Sequence, residues 1–401
     1  MEVNRKTLCT FVLGNDIRIM ILTPAEWATA CLASILFLVQ TYCYIAYYYA
    51  PVRQEKARKK GETACSDIQP PVSIIIYAKN DAEYLNRYLP VVLEQQYPDY
   101  EVIVVNDGST DDTKDVLSQL EYTYPHLYQT YIPDDARNLS RRKLALTIGM
   151  KAAKHEIVLL TDANCIPQSE KWIAAMVRNF TPETDIVLGH SFVSSSEENR
   201  YRSFDRELFA LHYLSFALKG KPYMGIGTNL SYRKHLFFKN KGFSRFLNLH
   251  FGDDDLFINQ IATPTNTKVE LSPESQIKVL YDHDKAAWKE KKLRYMFTAG
   301  YLNSSSKIIF GMERLSVYLF YAVWVAMVCK GIQQPMWLIP AGVLFALRTG
   351  VQIFTYNKAS DILHGRRLYL SLIAFDILYT PVNIWYKAVG FLSRKKNFTW
   401  V

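Results

Sequence analysis

The sequence predicts an α/β protein: a three-layer sandwich of parallel strands and helices, flanked by apolar segments able to enter a bilayer. Three observations carry this. Between residues 72 and 189, short branched apolar runs alternate with stretches of helical spacing. Residues 27–49 hold no charged side chain and are long enough to span a membrane. Beyond residue 297 the composition turns apolar and aromatic again.

Residues 27–49 end in a Tyr-rich stretch, and Arg53, Lys56, Arg58, Lys59 and Lys60 follow it. Aromatic residues gather at membrane interfaces and basic ones on the cytoplasmic side. The domain behind this helix is therefore expected in the cytoplasm, with the N-terminus outside. The segment starts late and lacks a clear small-residue cleavage site, so it does not read as a signal peptide. Residues 1–52 are assigned to the N-terminal membrane region and 53–70 to a basic linker.

Residues 72–76 form a branched run stopped by Lys79-Asn80-Asp81, and residues 101–105 another, stopped by Asn106-Asp107-Gly108. Leu85, Leu89, Val92 and Leu93 recur between them at helical spacing. Strand, helix, strand implies a parallel pair with a right-handed crossover. Ligands of such sheets bind beyond the carboxyl ends of the strands. The polar segments 78–81 and 107–110 are thus expected to face one crevice. A helix over 110–122, a strand over 127–132 and a helix over 141–153 follow. A buried strand over 157–160 ends in Thr161-Asp162-Ala163-Asn164. Next come a helix carrying Trp172, Ile173, Met176 and Val177, a strand over 186–189, and a helix set by Phe204, Leu208, Leu211 and Leu214. A glycine-bearing segment, MGIGTN at 224–229, precedes Asp253, Asp254 and Asp255, which open another helical start. Residues 268–271 and 276–279 read as edge strands, and the catalytic-sized domain closes near residue 296.

Residues 297–401 contain apolar segments at 315–329, 331–347 and 368–386. Three full crossings would leave Arg394, Lys395 and Lys396 outside, against the charge rule. Two crossings and a last segment that does not cross fit better.

The formal charge of +9 invites a nucleic-acid reading. Much of the excess lies beside apolar segments, and no nucleic-acid-binding fold is recognisable, so no nucleic-acid partner is expected. The six Cys, at 9, 31, 43, 65, 165 and 329, lack metal-ligand spacing.

Asp81, Asp107, Asp162 and the 253–255 trio all terminate strands or enter loops. One such Asp is ordinary turn or cap chemistry. Four in similar positions point to a site. Carboxylates there suit a diphosphate with Mg²⁺ or Mn²⁺, and Asp81 and Asp107 suit hydrogen bonds to a base or ribose. Within the trio, Asp255 stands directly before the helix and reads as its cap.

Over about residues 71–296 the chain resembles the family 2 glycosyltransferases of GT-A fold, of the membrane-embedded kind related to cellulose, chitin and hyaluronan synthases. The opening strand and polar loop match at residues 74–81, with Asn80 and Asp81. The Asp-Asp-Gly-Ser motif stands as Asn106-Asp107-Gly108-Ser109, which leaves Asp107 to contact the nucleotide. The helix before the metal motif matches at Arg142-Lys143-Leu144, with Lys143 as the diphosphate cation. The Asp-x-Asp metal motif stands as Asp162-Ala163-Asn164, and the base motif as Asp253-Asp254, with Asp254 as base. The closing Gln-x-x-Arg-Trp motif stands as Lys291-Lys292-Leu293-Arg294-Tyr295. The resemblance implies a GT-A Rossmann-like sandwich and inverting hexosyl transfer. The donor would be a nucleotide-diphosphate sugar, and the acceptor a hydroxyl on a glycan or lipid-linked molecule. It implies Mg²⁺ or Mn²⁺ at Asp162 and Asn164. It also puts Arg294 at the diphosphate and Asp253, Gly225, Gly227 and Tyr295 on the acceptor side. Tyr295 in place of Trp favours addition of one sugar per acceptor. The expected location is a bacterial cytoplasmic membrane, in contact with its lipids, serving envelope or surface polysaccharide assembly. Two other readings stay open: a membrane scaffold with a degenerate domain, and a nucleotidyl- or sugar-phosphate transferase.

Overall fold

The computed structural model describes residues 8–13, 16–21, 23–63, 65–132, 140–194, 199–280, 285–302 and 305–397. The side chains of the Arg394–Lys396 cluster lie outside the described set. β1 (Leu8–Leu13) and β2 (Asp16–Ile21) pair as an antiparallel hairpin. α1 (Pro24–Cys43) starts at a capping box, in which the Thr23 hydroxyl accepts from the Glu26 amide and the Glu26 carboxylate accepts from the Thr23 amide. A π-helical turn leads to α2 (Ala50–Lys59). Strands and helices then alternate: β3 (Val72–Ala78), α3 (Ala82–Leu93), β4 (Tyr100–Asn106), α4 (Thr113–Thr123), β5 (Leu127–Tyr131), α5 (Arg141–Ala152) and β6 (Ile157–Asp162). After these come β7 (Cys165–Pro167), α6 (Trp172–Val177), β8 (Ile186–Leu188), β9 (Ser191–Phe192), α7 (Arg200–Leu218), β10 (Leu230–Arg233) and α8 (Lys234–Lys239). α9 (Asp255–Ile261), β11 (Thr267–Val269), β12 (Ile277–Val279) and α10 (Lys285–Thr298) complete this part. α11 (Ser306–Gln333), α12 (Leu338–Ile362) and α13 (Leu370–Asn397) follow.

The chain forms two compact units, Met1–Ala46 with Lys307–Thr355, and Tyr47–Ser306 with Tyr356–Val401. The second contains a seven-stranded sheet in the order β11-β8-β10-β6-β3-β4-β5. β3 lies between β4 and β6 and runs parallel to both, with Val72 opposite Tyr100 and Ile157. The predicted parallel pair is therefore present. Its branched residues, among them Ile74, Ile76, Val102 and Val104, pack with Leu85 and Leu89 of α3 and Trp172 and Met176 of α6. On the other face α5 sits close to β3, because a Cβ on Gly149 would lie 2.5 Å from Ile75 Cγ2. β10 runs antiparallel between β6 and β8 and breaks the parallel order. A small sheet, β7-β12-β9, adjoins the end of β6 in sequence.

α7 is buried on most of its faces and carries a carboxyl into the interior. Glu207 accepts hydrogen bonds from Tyr356, at 2.8 Å, and from Ser360. Burial pushes its pKa up to about 8, against the pull of those two hydroxyls.

Three described helices are long and apolar enough to cross a membrane: Pro24–Tyr48, Ser306–Gln333 and Pro335–Ile362. The last two run well past the apolar segments seen in the sequence. α13 contains the third segment, is not among these spans, and packs on α10 and α7. Within the first unit, Ala33, Met327, Trp337 and Ala341 form a core. Arg348 is fully buried there and donates to Gln40 Oε1 at 2.6 Å, Tyr321 at 2.9 Å and Tyr44 at 3.1 Å. An arginine at membrane depth is tolerated when its donors are met in this way.

Candidate active site

The end of β4 lies beside that of β3, and the carboxyl ends of β3 and β6 open onto one crevice, lined by Tyr77 and Asp162. Its edge is built from turns. Asn80 adopts a left-handed conformation with φ of 54°, and its Oδ1 accepts from the Thr110 amide at 2.8 Å. Asn106 takes the place of the motif's first Asp and closes the turn as an acceptor, from the Ser109 amide at 3.0 Å. Asp107 is buried and already engaged, by the Tyr77 hydroxyl at 2.6 Å, by Arg141, and by Lys79 at 3.4 Å.

A cavity of about 320 Å³ lies beyond these strand ends. Asp81, Asp162, Asn164, Asp254, Arg142, Arg294 and Tyr295 line it, but Asp107 does not. Burial raises the Asp81 pKa; the nearby Asp162 charge adds to this and the Lys79 amide opposes it. Asp162 closes β6 with Oδ1 accepting from Arg142 Nη2 at 2.7 Å. Asn164 donates its Nδ2 to the Leu280 carbonyl at 2.7 Å, and its Oδ1 accepts from Cys165 Sγ at 3.8 Å. Among the described residues no group of three His, Cys, Asp or Glu is placed to hold a metal. One carboxylate and one amide oxygen do not make a protein cage. They do fit a hard cation that takes most of its ligands from a diphosphate and water.

Lys143 requires a correction. Its ammonium is buried and donates to the carbonyls of Phe246 and Leu249, the latter at 2.7 Å, so it holds a loop and does not face the cavity. Arg142 faces it instead. Neighbours on a helix point about 100° apart, and a motif match cannot decide between two adjacent cations. Burial lowers the Lys143 pKa to about 8.

The acidic trio divides into three roles. Asp253 is buried between two guanidiniums, with Arg142 Nε at 2.8 Å and Arg294 Nη2 at 2.7 Å. Burial opposes its ionisation, but the two arginines outweigh burial and hold it down to about 2. It does not reach the cavity wall, so its expected place on the acceptor side is not what the structure shows. Asp254, and not the expected Asp255, is the helix cap: its carboxylate accepts from the Asp255 amide at 2.8 Å. That same oxygen accepts from Arg294 Nη2 at 3.2 Å, while the other oxygen of Asp254 accepts from the Gly227 amide and the Tyr295 hydroxyl, each at 3.1 Å. Asp255 points inward to Thr298, and burial, with Asp254 beside it, pushes its pKa up to about 7.

The two glycines also part company. A Cβ on Gly225 would meet Leu188 Cδ2 at 3.0 Å and Ile258 at 3.2 Å, so this glycine serves core packing rather than the acceptor side. Gly227 faces Asp254 and Arg142. Beside the charged cavity lies a second, of about 200 Å³, lined by Phe209, Tyr213, Trp288 and Tyr379 among others. Ile226, Lys291 and Tyr295 line both. Sequence reasoning missed Arg142 and Tyr77. Arg142 carried the same motif signal as Lys143; Tyr77 carried none.

Residues 73–240 match the profile of Glycosyl transferase family 2. Over that stretch the chain is similar to this family. A mannosyltransferase from Pyrobaculum calidifontis, solved in complex with GDP-Man and Mn²⁺, shares the fold of this chain. The TM-score is 0.53 at 18% identity, over 89% of this chain and 99% of that one. The fold is thus GT-A-like. An uncharacterized glycosyltransferase of Nostoc sp. is 34% identical over 104 residues, 25% of this chain and 30% of that protein. Glycosyltransferase AglE of Haloferax volcanii is 33% identical over 106 residues, 26% of this chain and 33% of that protein. The chain spans about a third of the length of the curated relatives it matches.

Proposed function

We propose that this domain is an inverting glycosyltransferase that moves a hexosyl group from a nucleotide-diphosphate sugar to a hydroxyl of a glycan or lipid-linked acceptor. The observation that carries the reading is the place of Asp254. Its carboxylate lines the charged cavity, and Tyr295, its hydrogen-bond partner, also lines the aromatic one. A donor diphosphate fits the first, near Arg142 and Arg294. An acceptor with an apolar or sugar-ring face fits the second, whose aromatic walls offer stacking surfaces.

In this reading Asp254 takes the proton of the attacking hydroxyl as that oxygen approaches the anomeric carbon. The bond to the diphosphate oxygen breaks on the opposite face, so configuration inverts. Arg142 and Arg294 offset the charge that gathers on the leaving diphosphate. Tyr295 steadies the base through its hydroxyl. Asp162 and Asn164 would hold Mg²⁺ or Mn²⁺, a reading supported by the Mn²⁺ in the Pyrobaculum relative. Such a cation supplies Lewis-acid neutralisation of phosphate oxygens. With Tyr295 where processive synthases keep Trp, one sugar is added per acceptor.

The three apolar helices support an integral-membrane location. The basic stretch after Pro24–Tyr48 supports a cytoplasmic face for the domain. Lys268 is exposed and suits a Lys268→Cys probe in a background from which the native Cys have been removed. Labelling by an impermeant thiol reagent in intact cells would reverse the orientation. The activity is tested by offering a panel of nucleotide sugars to the purified protein with membrane extract and reading released nucleoside diphosphate. A folded protein that turns over none of them defeats the proposal.

A further inference from the structure

The guanidinium of Arg142 sits where the expected cation chemistry would begin. Its Nη2 donates to Asp162 Oδ1 at 2.7 Å, and its Nε to Asp253 Oδ2 at 2.8 Å. It lies over the Tyr77 ring, 5.2 Å from the centroid, which adds a cation–π contact. The motif's usual second carboxylate is replaced by neutral Asn164. Asp162, the principal anionic ligand offered to a metal, is therefore already paired with a cation.

We propose that Arg142 closes the metal carboxylate in the free protein, so that a divalent cation enters together with the donor diphosphate and not before it. This rests on the reading of Asp162 as a cation ligand in the proposed transferase. A bare divalent ion approaching Asp162 meets one partly neutralised carboxylate and a nearby positive charge. A nucleoside diphosphate changes both conditions. Its oxygens give Arg142 a better anionic partner, since the planar guanidinium fork suits phosphate. They also supply the ligands that the sparse protein set lacks. Asp253 is the fixed end of this switch. It holds Nε while Nη2 exchanges Asp162 for phosphate, so the arginine needs only a short swing. Arg294 also pairs with Asp253, at 2.7 Å, and keeps that carboxylate from being stranded.

The test reads cation uptake directly. Mn²⁺ is titrated into the full chain in detergent, and free Mn²⁺ is followed by electron paramagnetic resonance. The titration is repeated with UDP, GDP, CDP, ADP or dTDP present. Wild type is expected to bind Mn²⁺ weakly alone and at least about tenfold more tightly with its matching diphosphate, the scale of a coupling of about 1.4 kcal/mol. Arg142→Gln is expected to bind Mn²⁺ alone about tenfold more tightly than wild type, and Arg142→Gln with Asp162→Asn to lose that gain. Arg142→Lys keeps the charge and is expected to stay closed to Mn²⁺ alone; it serves if the Gln variant does not fold. Wild type binding Mn²⁺ alone as tightly as Arg142→Gln overturns the proposal, and so does Arg142→Lys opening the site. Neither result touches the transferase reading, which stands or falls on nucleoside diphosphate release.

Discussion

Asp254→Asn separates the chemistry of the site from its architecture. The carboxylate caps α9 through the Asp255 amide at 2.8 Å, accepts from Gly227 and Tyr295 at 3.1 Å, and pairs with Arg294 at 3.2 Å. Asn is as good a helix cap as Asp, so α9 keeps its start. Arg294 keeps Asp253 at 2.7 Å and is not left unpaired. The amide nitrogen that replaces the second oxygen cannot accept from the Gly227 N–H, and the charge-assisted contact with Arg294 weakens, a loss of about 1.5–3 kcal/mol, or several degrees of melting temperature. The proton acceptor is lost as well, and general-base catalysis typically contributes about 10²–10⁴-fold. Single-turnover transfer is therefore expected to fall by that factor while nucleoside diphosphate affinity barely moves. Asp253→Asn should behave in the opposite way. It breaks a buried pair with two arginines, at a cost of about 3–5 kcal/mol, and weakens diphosphate binding with folding. If Asp254→Asn transfers near the wild-type rate in a folded protein, Asp254 is not the base.

Three further outcomes follow from particular contacts. Glu207 is held protonated, with a pKa raised from 4.5 to about 8, so its favourable contribution is full below about pH 4.5 and fades as pH climbs to about 8. The stability of wild type relative to Glu207→Gln should then fall across that window, with a slope approaching 1.4 kcal/mol per unit, a value of about 2.303RT; thermal melts showing a flat difference would contradict the buried neutral carboxyl. Lys143→Met should lower the melting temperature, because the Phe246 and Leu249 carbonyls lose their donor, yet leave nucleoside diphosphate affinity unchanged in calorimetry. Gly149→Ala should destabilise by about 1–3 kcal/mol through overpacking on Ile75, despite alanine's better helix propensity, and a gain in thermal stability would show that α5 can move away from β3.

Three strands of the parallel half were legible because each is a mostly apolar, branched run with a polar stop. β3, β4 and β6 all fit that description. β10 was not: Leu230-Ser231-Tyr232-Arg233 is too short to show a period, and its place between β6 and β8 is set by tertiary pairing. The hairpin β1–β2 did carry a signal, apolar runs on either side of Gly14-Asn15. At the site, the crevice and its acidic residues were readable from their positions at strand ends. Which member of a run does what was not. Arg142 and Lys143 differ by one step around a helix, and the cap fell to Asp254 because its backbone, with φ of −113°, stands outside the regular turn. Three adjacent aspartates look alike until the backbone orients them.

The hydrogen bond from Gly227 to Asp254 has a mechanical consequence. The donor is a backbone amide within the MGIGTN stretch, so the stretch and the base cannot be displaced independently. Remodelling residues 224–229 to admit a different acceptor would also re-aim the carboxylate. Selectivity and turnover would then change together in an engineered variant. A change of acceptor made from the Phe209 and Trp288 side of the aromatic cavity leaves that tether intact and offers the better route.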